Sequence, residues 1–415
     1  MSAFKDIYVI AICLLAFALP LPQPYINIAV AVFIAGSLID FYRKRDFESP
    51  LNSILILPIA FYVLHLIGLT YTDDLKAGFN NVQTKLSFLI FPLLLSKSTP
   101  INNVLKKLKI FFIAGCAAVC IYDIVTAIMQ YRLTKNMDVF YYISFSKTMH
   151  VQYFTIYLNM AIIFLIDGIF NSDDFRFKHQ KSFYLILIVF FILNITLLAS
   201  RLATVVSYIT VLLYFMLKIK TSGKFLKYSL YGLLLILLIV FFDYFSLKNV
   251  NRFEQVERFL HENENYFDFT KKEYNSTTLR IPLWINAYQV IENNPFTGVG
   301  TGDSRAELDS VFLKNKFQYA YQNHFDPHNQ YLQTGVILGL AGLTLLLTMF
   351  LVPLYYSIRY RHYQFICLLI IFMFNMLTES IFERQAGIMF FSFFYSLFSV
   401  QIIEEMKKQQ LPATE

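Results

Sequence analysis

An all-α protein that crosses a membrane many times is the fold class the sequence predicts, on three observations. Of 415 residues, 57% are hydrophobic, 18% aromatic and only 15% charged, with a mean hydropathy of +0.52; that is too apolar for a soluble fold. A spanning helix needs about 20 mostly apolar residues, and the chain offers about twelve such stretches. They lie near 6–22, 24–42, 51–70, 82–97, 107–130, 150–170, 182–200, 202–219, 226–244, 331–356, 363–378 and 385–404. Basic residues, finally, recur at alternate connections between them.

The first stretch is short enough to be mistaken for a signal peptide. Ala18-Leu19-Pro20-Leu21-Pro22 is a poor cleavage site, however, and a second apolar stretch follows at once. The two are expected to form a helical hairpin around Pro22 and Pro24. Arg43-Lys44-Arg45, Lys106-Lys107-Lys109, Lys178 and Lys181, Lys218 to Lys227, Arg359 with Arg361, and Lys407-Lys408 all follow even-numbered spans. By the positive-inside rule those loops and both termini are cytoplasmic. The net charge of +7 is then orientation bias rather than a nucleic-acid footprint.

The expected organisation is a membrane domain over 1–244 with spans one to nine, a large loop outside the cytoplasm over 245–330, and a membrane domain over 331–415 with the last three spans and a cytoplasmic tail. A loop of that length is far beyond the usual connection and tends to be functional or disordered. Its Trp, Tyr, Phe and Leu content predicts that it folds against the membrane. Cys13, Cys116, Cys120 and Cys367 fall inside predicted spans, so they form neither a disulfide framework nor a zinc site and read as packing residues.

Within the loop, Ser276-Thr277-Thr278 precedes an apolar-faced run from Leu279 to Ile291. The pattern predicts a hydroxyl-capped helix at the membrane surface, with Pro282 in its first turn and Arg280 and Trp284 one turn apart on one side. Asn293-Asn294-Pro295 stops it. Gly298-x-Gly300-x-Gly302 lacks the lysine and hydroxyl of a phosphate loop, and reads as a backbone turn that lets the loop approach the membrane closely.

Asp326-Pro327-His328-Asn329 then reads as a helix start, capped by Asp326. His328 in a first turn would sit at the positive end of the helix dipole, which favours the neutral ring able to accept a proton. Arg201, at a tight connection between two spans, serves equally as an interfacial anchor or as a bidentate phosphate ligand. Arg280 allows the same phosphate reading, with a surface salt bridge as the alternative. Lys85 lies near the outer end of a span, where snorkelling to the interface is expected and phosphate binding is the alternative. Glu379 could orient His328 or bind sugar hydroxyls, whereas Glu383 and Arg384 are expected to pair with each other. His150 and Tyr153 should face outward, as interfacial anchors or as the lining of an acceptor groove. No paired Asp motif suited to a metal-bound sugar donor is present, so metal-independent chemistry without a cofactor is expected.

The run from Leu279 to Gly342 carries Arg-x3-Trp, Asn294-Pro295-Phe296-Thr297-Gly298-Val299-Gly300, Pro327-His328-Asn329-Gln330-Tyr331-Leu332-Gln333 and Gly339-x2-Gly342. Together with Ala199-Ser200-Arg201, Thr378-Glu379-Ser380 and the twelve-span layout, it resembles the O-antigen ligase and polymerase superfamily. The resemblance implies a fold like the GT-C membrane glycosyltransferases, in the bacterial inner membrane, with an active site facing the periplasm. It implies transfer of a glycan from undecaprenyl diphosphate to a lipid A core sugar, inverting and metal-independent. Arg201 and Arg280 would hold the diphosphate and His328 would activate the acceptor hydroxyl, with Lys85, His150, Tyr153, Trp284, Asn329 and Glu379 in support. The His150-Val151-Gln152-Tyr153 stretch departs from the family pattern, in which a small residue or proline often follows such a histidine.

Three rivals stand beside the ligase reading. An O-antigen or exopolysaccharide polymerase and a protein O-glycosyltransferase use the same donor with other acceptors. A non-catalytic transporter of lipid-linked glycans is expected instead to show repeated halves, interrupted helices and charges near mid-bilayer.

Overall fold

A computed structural model describes residues 2–44, 53–96, 102–170, 180–222 and 278–410, and all regular structure among them is helical. Helices α1 (Ser2–Ala18) and α2 (Gln23–Lys44) form the expected hairpin. Helix α3 (Ser53–Gly68) ends in a 3-10 turn at Leu69–Tyr71. The single span expected at 82–97 is instead a pair, α4 (Leu75–Lys85) and α5 (Ser87–Leu95), joined through Leu86, which keeps right-handed helical dihedrals. Asp74 caps α4 by accepting from Ala77 N at 2.9 Å, so the helix begins in polar sequence that hydropathy does not register. Helix α5 alone is only about 13 Å long at the α-helical rise, and the pair is needed to reach across a bilayer.

Four long helices follow: α6 (Asn102–Thr134), then, after the short α7 (Tyr142–Phe145), α8 (Val151–Phe170), α9 (Gln180–Leu198) and α10 (Arg201–Ser222). The expected span at 226–244, and the loop as far as residue 277, lie outside the described residues. Beyond them come α11 (Arg280–Asn293), α12 (Ser304–Lys314), α13 (Gln318–Asn323), α14 (Gln330–Arg359), α15 (Tyr363–Asn375) and α16 (Gln385–Gln410). Seven of the described helices are long and apolar enough to cross a membrane, and three shorter stretches, Ile7–Ala18, Leu202–Lys218 and Tyr363–Asn375, are apolar as well. The protein is an all-α, multi-pass membrane protein. Successive passes alternate in direction, so the connections at 69–74, 135–150, 199–200, 278–329 and 376–384 share one end of the bundle, hereafter the loop face.

Helices α8 and α16 form the centre, with 83% and 89% of their apolar windows buried against 28% for α2. Phenylalanines of α16 interlock with those of neighbouring passes: Phe390 stacks on Tyr157 of α8 at 4.2 Å, and Phe394 lies 5.2 Å from Phe112 of α6. Lipid tails are as apolar as these side chains, so close packing of rings and hydrogen bonds between helices carries the association. Cys13, Cys116, Cys120 and Cys367 are buried free thiols in this core, as their place in the spans leads one to expect.

At the opposite end from the loop face, Asp167 of α8 gathers partners from three other helices among the described residues. It accepts from the Tyr214 hydroxyl and from Gln364 Nε2, both at 2.6 Å, and lies 3.2 Å from Lys109 Nζ and 2.9 Å from Lys218 Nζ. One carboxylate thereby ties α6, α8, α10 and α15 together.

The loop segment builds a second, smaller core from Leu283, Ala287 and Val290 of α11, Leu308 and Phe312 of α12, Phe317, and Val336 of α14. The apolar face expected on α11 is therefore buried against protein. Leu279 occupies the cap position of that helix without a side-chain hydrogen bond; of the hydroxyl residues expected to cap it, Ser276 and Thr277 lie outside the described residues. Asn294 ends it, as its sequence indicates, with its N–H on Ile291 O and Val290 O.

The glycine turn has a structural task. Helix α14 breaks at Gly339, where φ is +60° and ψ −153°, roughly 13 Å along its axis at 1.5 Å per residue. A break at that depth exposes backbone groups that lipid cannot satisfy. The loop satisfies them on both sides. Val299 N and Gly300 N donate to Val336 O and Ile337 O at 2.9 and 3.1 Å, while Leu340 N and Ala341 N donate to Pro295 O and Phe296 O at 2.8 and 3.3 Å. Gly298, at φ +67°, lies so close to the Ile337 carbonyl that a Cβ would collide with it. The same loop grips α3 and α4: Thr301 Oγ1 donates to His65 O at 2.7 Å, and Asp303 accepts from Asp73 N and Asp74 N at 2.8 Å each.

Candidate active site

The segment before α14 is shaped by two side-chain turns rather than by a helix start at Asp326. Asp326 Oδ1 accepts from His328 N at 2.7 Å, and Asn329 Oδ1 accepts from Tyr331 N and Leu332 N at 2.9 and 3.1 Å. The helix therefore begins at Gln330 with Asn329 as its cap, and His328 stands outside it with φ at +46°. That left-handed conformation is uncommon for a residue with a Cβ and persists only where neighbours impose it. Here the neighbours are the Asp326 turn, the Phe325 ring with its centroid 5.8 Å from the imidazole, and Trp284, whose Nε1 donates to Pro327 O at 3.0 Å.

The connection between α15 and α16 supplies the other wall. Gln330 N donates to Met376 O at 2.8 Å, Asn329 Nδ2 to Leu377 O at 3.2 Å, and Phe382 N to Gln330 Oε1 at 2.6 Å. This stitching brings Glu379 Oε2 to 3.7 Å from His328 Nδ1, while Asp326 Oδ1 lies 3.4 Å from the same nitrogen. Ser380 Oγ in turn donates to Asp326 Oδ1 at 3.2 Å.

Two carboxylates on Nδ1 reverse the protonation expected from the helix dipole. Burial pulls the imidazole pKa down, but the contact with Glu379 and the charges of Asp326 and Glu379 outweigh it, and the pKa is raised above the ordinary histidine value. The charge of Arg280 opposes that rise. Burial likewise pushes Glu379 up, but contact with His328 and the charges of His328, His150 and Arg280 pull it below the ordinary carboxylate value. His328 is thus a strengthened base held by an acid that stays ionised, not a ring kept neutral by a dipole.

Of the other residues singled out, Arg280 opens α11 and acts electrostatically on both His328 and Glu379. His150 and Tyr153 stand together, ring centroids 5.9 Å apart, within the electrostatic reach of Glu379. Burial lowers the His150 pKa, with Glu379 raising it and Arg384 and His328 lowering it further. Arg201 is the first residue of α10 at this same face, directly after Ala199 with φ at +49°; its side chain lies outside the described residues.

Lys85 departs from its expectation. It does not snorkel: it is fully buried at the α4–α5 junction, 2.6 Å from Asn81 Oδ1 and 2.9 Å from Glu383 Oε1. Glu383 consequently pairs with Lys85 rather than with Arg384. The hydropathy pattern places Lys85 near a span's edge but carries no information about a partner 298 residues away. For the same reason the sequence pattern carries no sign of Asp326 as a partner of His328 or of Arg384 as an exposed cation. Among the described residues no group of three or more His, Cys, Asp or Glu is arranged to hold a metal ion.

A protein of Haemophilus influenzae described as uncharacterized is 24% identical over 349 residues, covering 82% of this chain and 81% of its own. The O-antigen ligase family model matches residues 186–347, which take in Arg201, Arg280, Trp284, the glycine turn, His328 and the α14 break. Residues 186–347 thus resemble the O-antigen ligase family, within an all-α multi-pass membrane protein.

Proposed function

We propose that the protein is a glycosyltransferase of the ligase type. It moves a glycan from undecaprenyl diphosphate to a sugar hydroxyl of the lipid A core, on the periplasmic side of a bacterial inner membrane. The observation that carries this reading is the His328 imidazole, held through Nδ1 by Asp326 and Glu379 at the loop face, where Arg280 is also felt. With Nδ1 turned to the carboxylates, Nε2 is the nitrogen for the acceptor. It takes the hydroxyl proton as the oxygen attacks the anomeric carbon, and the bond from that carbon to the diphosphate oxygen breaks with its electron pair leaving on the diphosphate. Arg280 and Arg201 answer the charge gathering there. Glu379 and Asp326 stabilise the imidazolium until its proton passes to the departing diphosphate or to water. Attack opposite the leaving group inverts the anomeric centre.

This reading keeps the chain organised as membrane domain, loop and membrane domain, with the loop delivering the base. A polymerase would use the same groups with another lipid-linked glycan as acceptor. Transport is disfavoured by two features. The break in α14 is hydrogen-bonded on both sides by the loop, so it is a fixed support rather than a hinge. The charge cluster around Asp167 is internally matched.

The test uses purified protein, lipid-linked glycan and lipid A core, with no nucleotide added. Wild type should form the joined product, and His328→Ala, folded as judged by its melting temperature, should lose about two to four orders of magnitude in rate. A wild type that forms no product, or a His328→Ala with full activity, overturns the reading.

A further inference from the structure

In the sequence Ser380 is only the end of Thr378-Glu379-Ser380, and the transfer chemistry leaves it without a task. A serine immediately before a helical turn ordinarily uses its hydroxyl oxygen to accept from the first N–H groups of that turn. Ser380 stands before the 3-10 turn Ile381–Glu383 and makes no such cap. Its side chain is buried, with the residue 1% exposed, and its hydroxyl is spent elsewhere: Oγ donates to Asp326 Oδ1 at 3.2 Å, across 54 residues of chain.

That oxygen has a second donor. The backbone N–H of His328 reaches it at 2.7 Å, so the pair of donors uses about all the lone-pair capacity of one carboxylate oxygen. His328 Nδ1 stands 3.4 Å from the same Oδ1 and 3.7 Å from Glu379 Oε2. A neutral imidazole that keeps Nε2 free for the acceptor has a single N–H to place between them. Asp326 Oδ1 is already loaded, whereas among the described residues the imidazole is the group that reaches Glu379 Oε2.

We propose that Ser380 is a positioning residue for the base: its hydroxyl, together with the His328 N–H, ties Asp326 to the backbone turn, so that the Nδ1 proton of His328 goes to Glu379. The two carboxylates then divide the work. Asp326 shapes the left-handed turn at His328, and Glu379 orients the ring. The hydroxyl also offsets part of the Asp326 charge, because a donor to an ionised carboxylate stabilises that charge where it is. Without the hydroxyl, the charge falls more fully on the imidazole, and the ring holds its proton more tightly. The other charged groups that act on the ring are Glu379 from the α15–α16 connection, Arg280 from α11 and His150 from α8; a change at Ser380 alters none of them. The inference rests on the transfer reading only in calling His328 a base, since the contacts themselves do not depend on it.

The experiment follows carbethoxylation of His328 by diethylpyrocarbonate in full-length protein in nanodiscs, as a function of pH, with the modified peptide measured by mass spectrometry. The reagent attacks the neutral imidazole, the ring is about 30% exposed, and no substrate is needed. In Ser380→Ala the midpoint of the profile should move up by about half a pH unit, and the acid limb of kcat/KM should move with it. Glu379→Gln should move both the opposite way. Ser380→Cys, close in size but a weaker donor, should fall between Ser380→Ala and wild type. Asp326→Asn can still form the turn, and in that background Ser380→Ala should shift nothing further, because its effect passes through the Asp326 charge. A midpoint that stays in place or moves down in Ser380→Ala overturns the proposal, as does an equal upward shift in the Asp326→Asn background. If the midpoints shift as expected but wild type forms no joined product, the part Ser380 plays in placing the proton stands and the transfer reading falls. If wild type forms product, His328→Ala does not, and Ser380→Ala titrates like wild type, the proposal falls alone.

Discussion

The bundle holds a charge cluster at each end, and they differ in how their charges are answered. Around Asp167, two lysines, a tyrosine hydroxyl and an amide converge on the two oxygens of one carboxylate. Around His328 the contacts are longer, at 3.4 and 3.7 Å. The ring is about 30% exposed, and the Tyr153 hydroxyl is buried with no hydrogen-bond partner among the described residues. A matched cluster fixes helices relative to one another; an unfinished one has capacity left for a substrate. Low dielectric strengthens the satisfied contacts of the first and raises the cost of the unsatisfied groups of the second. Charge inside a membrane protein is therefore not by itself a sign of chemistry, and the state of its partners is the better guide.

The largest expected effect tests the matched end. Asp167→Asn removes the charge that balances Lys109 and Lys218, and an amide cannot accept on both sides. Breaking a buried ion pair from one side costs about 3–5 kcal/mol. The melting temperature of the detergent-solubilised protein should fall accordingly, while the turnover of molecules that remain folded stays near wild type. If stability were unchanged and turnover lost, Asp167 would belong to the chemistry and the contrast between the two ends would collapse.

A smaller effect is expected at the unfinished end, where it should appear in rate and pH dependence. His328 accepts a proton only in its neutral form, so activity rises as pH climbs through its pKa. Glu379 helps raise that pKa. Glu379→Gln removes the charge, the pKa falls back toward the ordinary histidine value, and the acid limb of kcat/KM should move to lower pH. The plateau should fall about tenfold, because a weaker base takes the proton less readily. A profile whose acid limb stays in place would show that some other group titrates.

Most of the passes were legible because twenty apolar residues in a row have few other uses in a protein. The interruptions were not. The break in α14 occurs inside a continuous apolar run, and only Gly339, apposed to a glycine turn some forty residues earlier in the chain, marks it. The α4–α5 pair escaped because α4 is polar for most of its length. The site followed the same division. His328, Arg280 and Glu379 stood out as polar groups at an apolar boundary, but their grouping depends on the 376–382 connection folding back onto Gln330. The Asp-Pro-His run resembles a helix start closely enough to predict a cap at Asp326, whereas the chain makes a tight turn there and caps at Asn329.

The smallest effect addresses how firmly the unfinished end is held. Trp284 is the chain's single tryptophan, and its indole N–H is the hydrogen bond that ties α11 to the backbone immediately before His328. Phenylalanine fills much of the same space and cannot donate, so Trp284→Phe should lower stability by about 1 kcal/mol. The left-handed conformation at His328 is imposed by its surroundings, and loosening one support should let the ring leave its place over Glu379 for part of the time. The expected result is a severalfold fall in kcat with little change in the KM for either substrate, since the indole N–H is already engaged by Pro327 O. A rise in donor KM instead would mean that Trp284 touches the donor, and that α11 contributes a binding surface as well as a buttress.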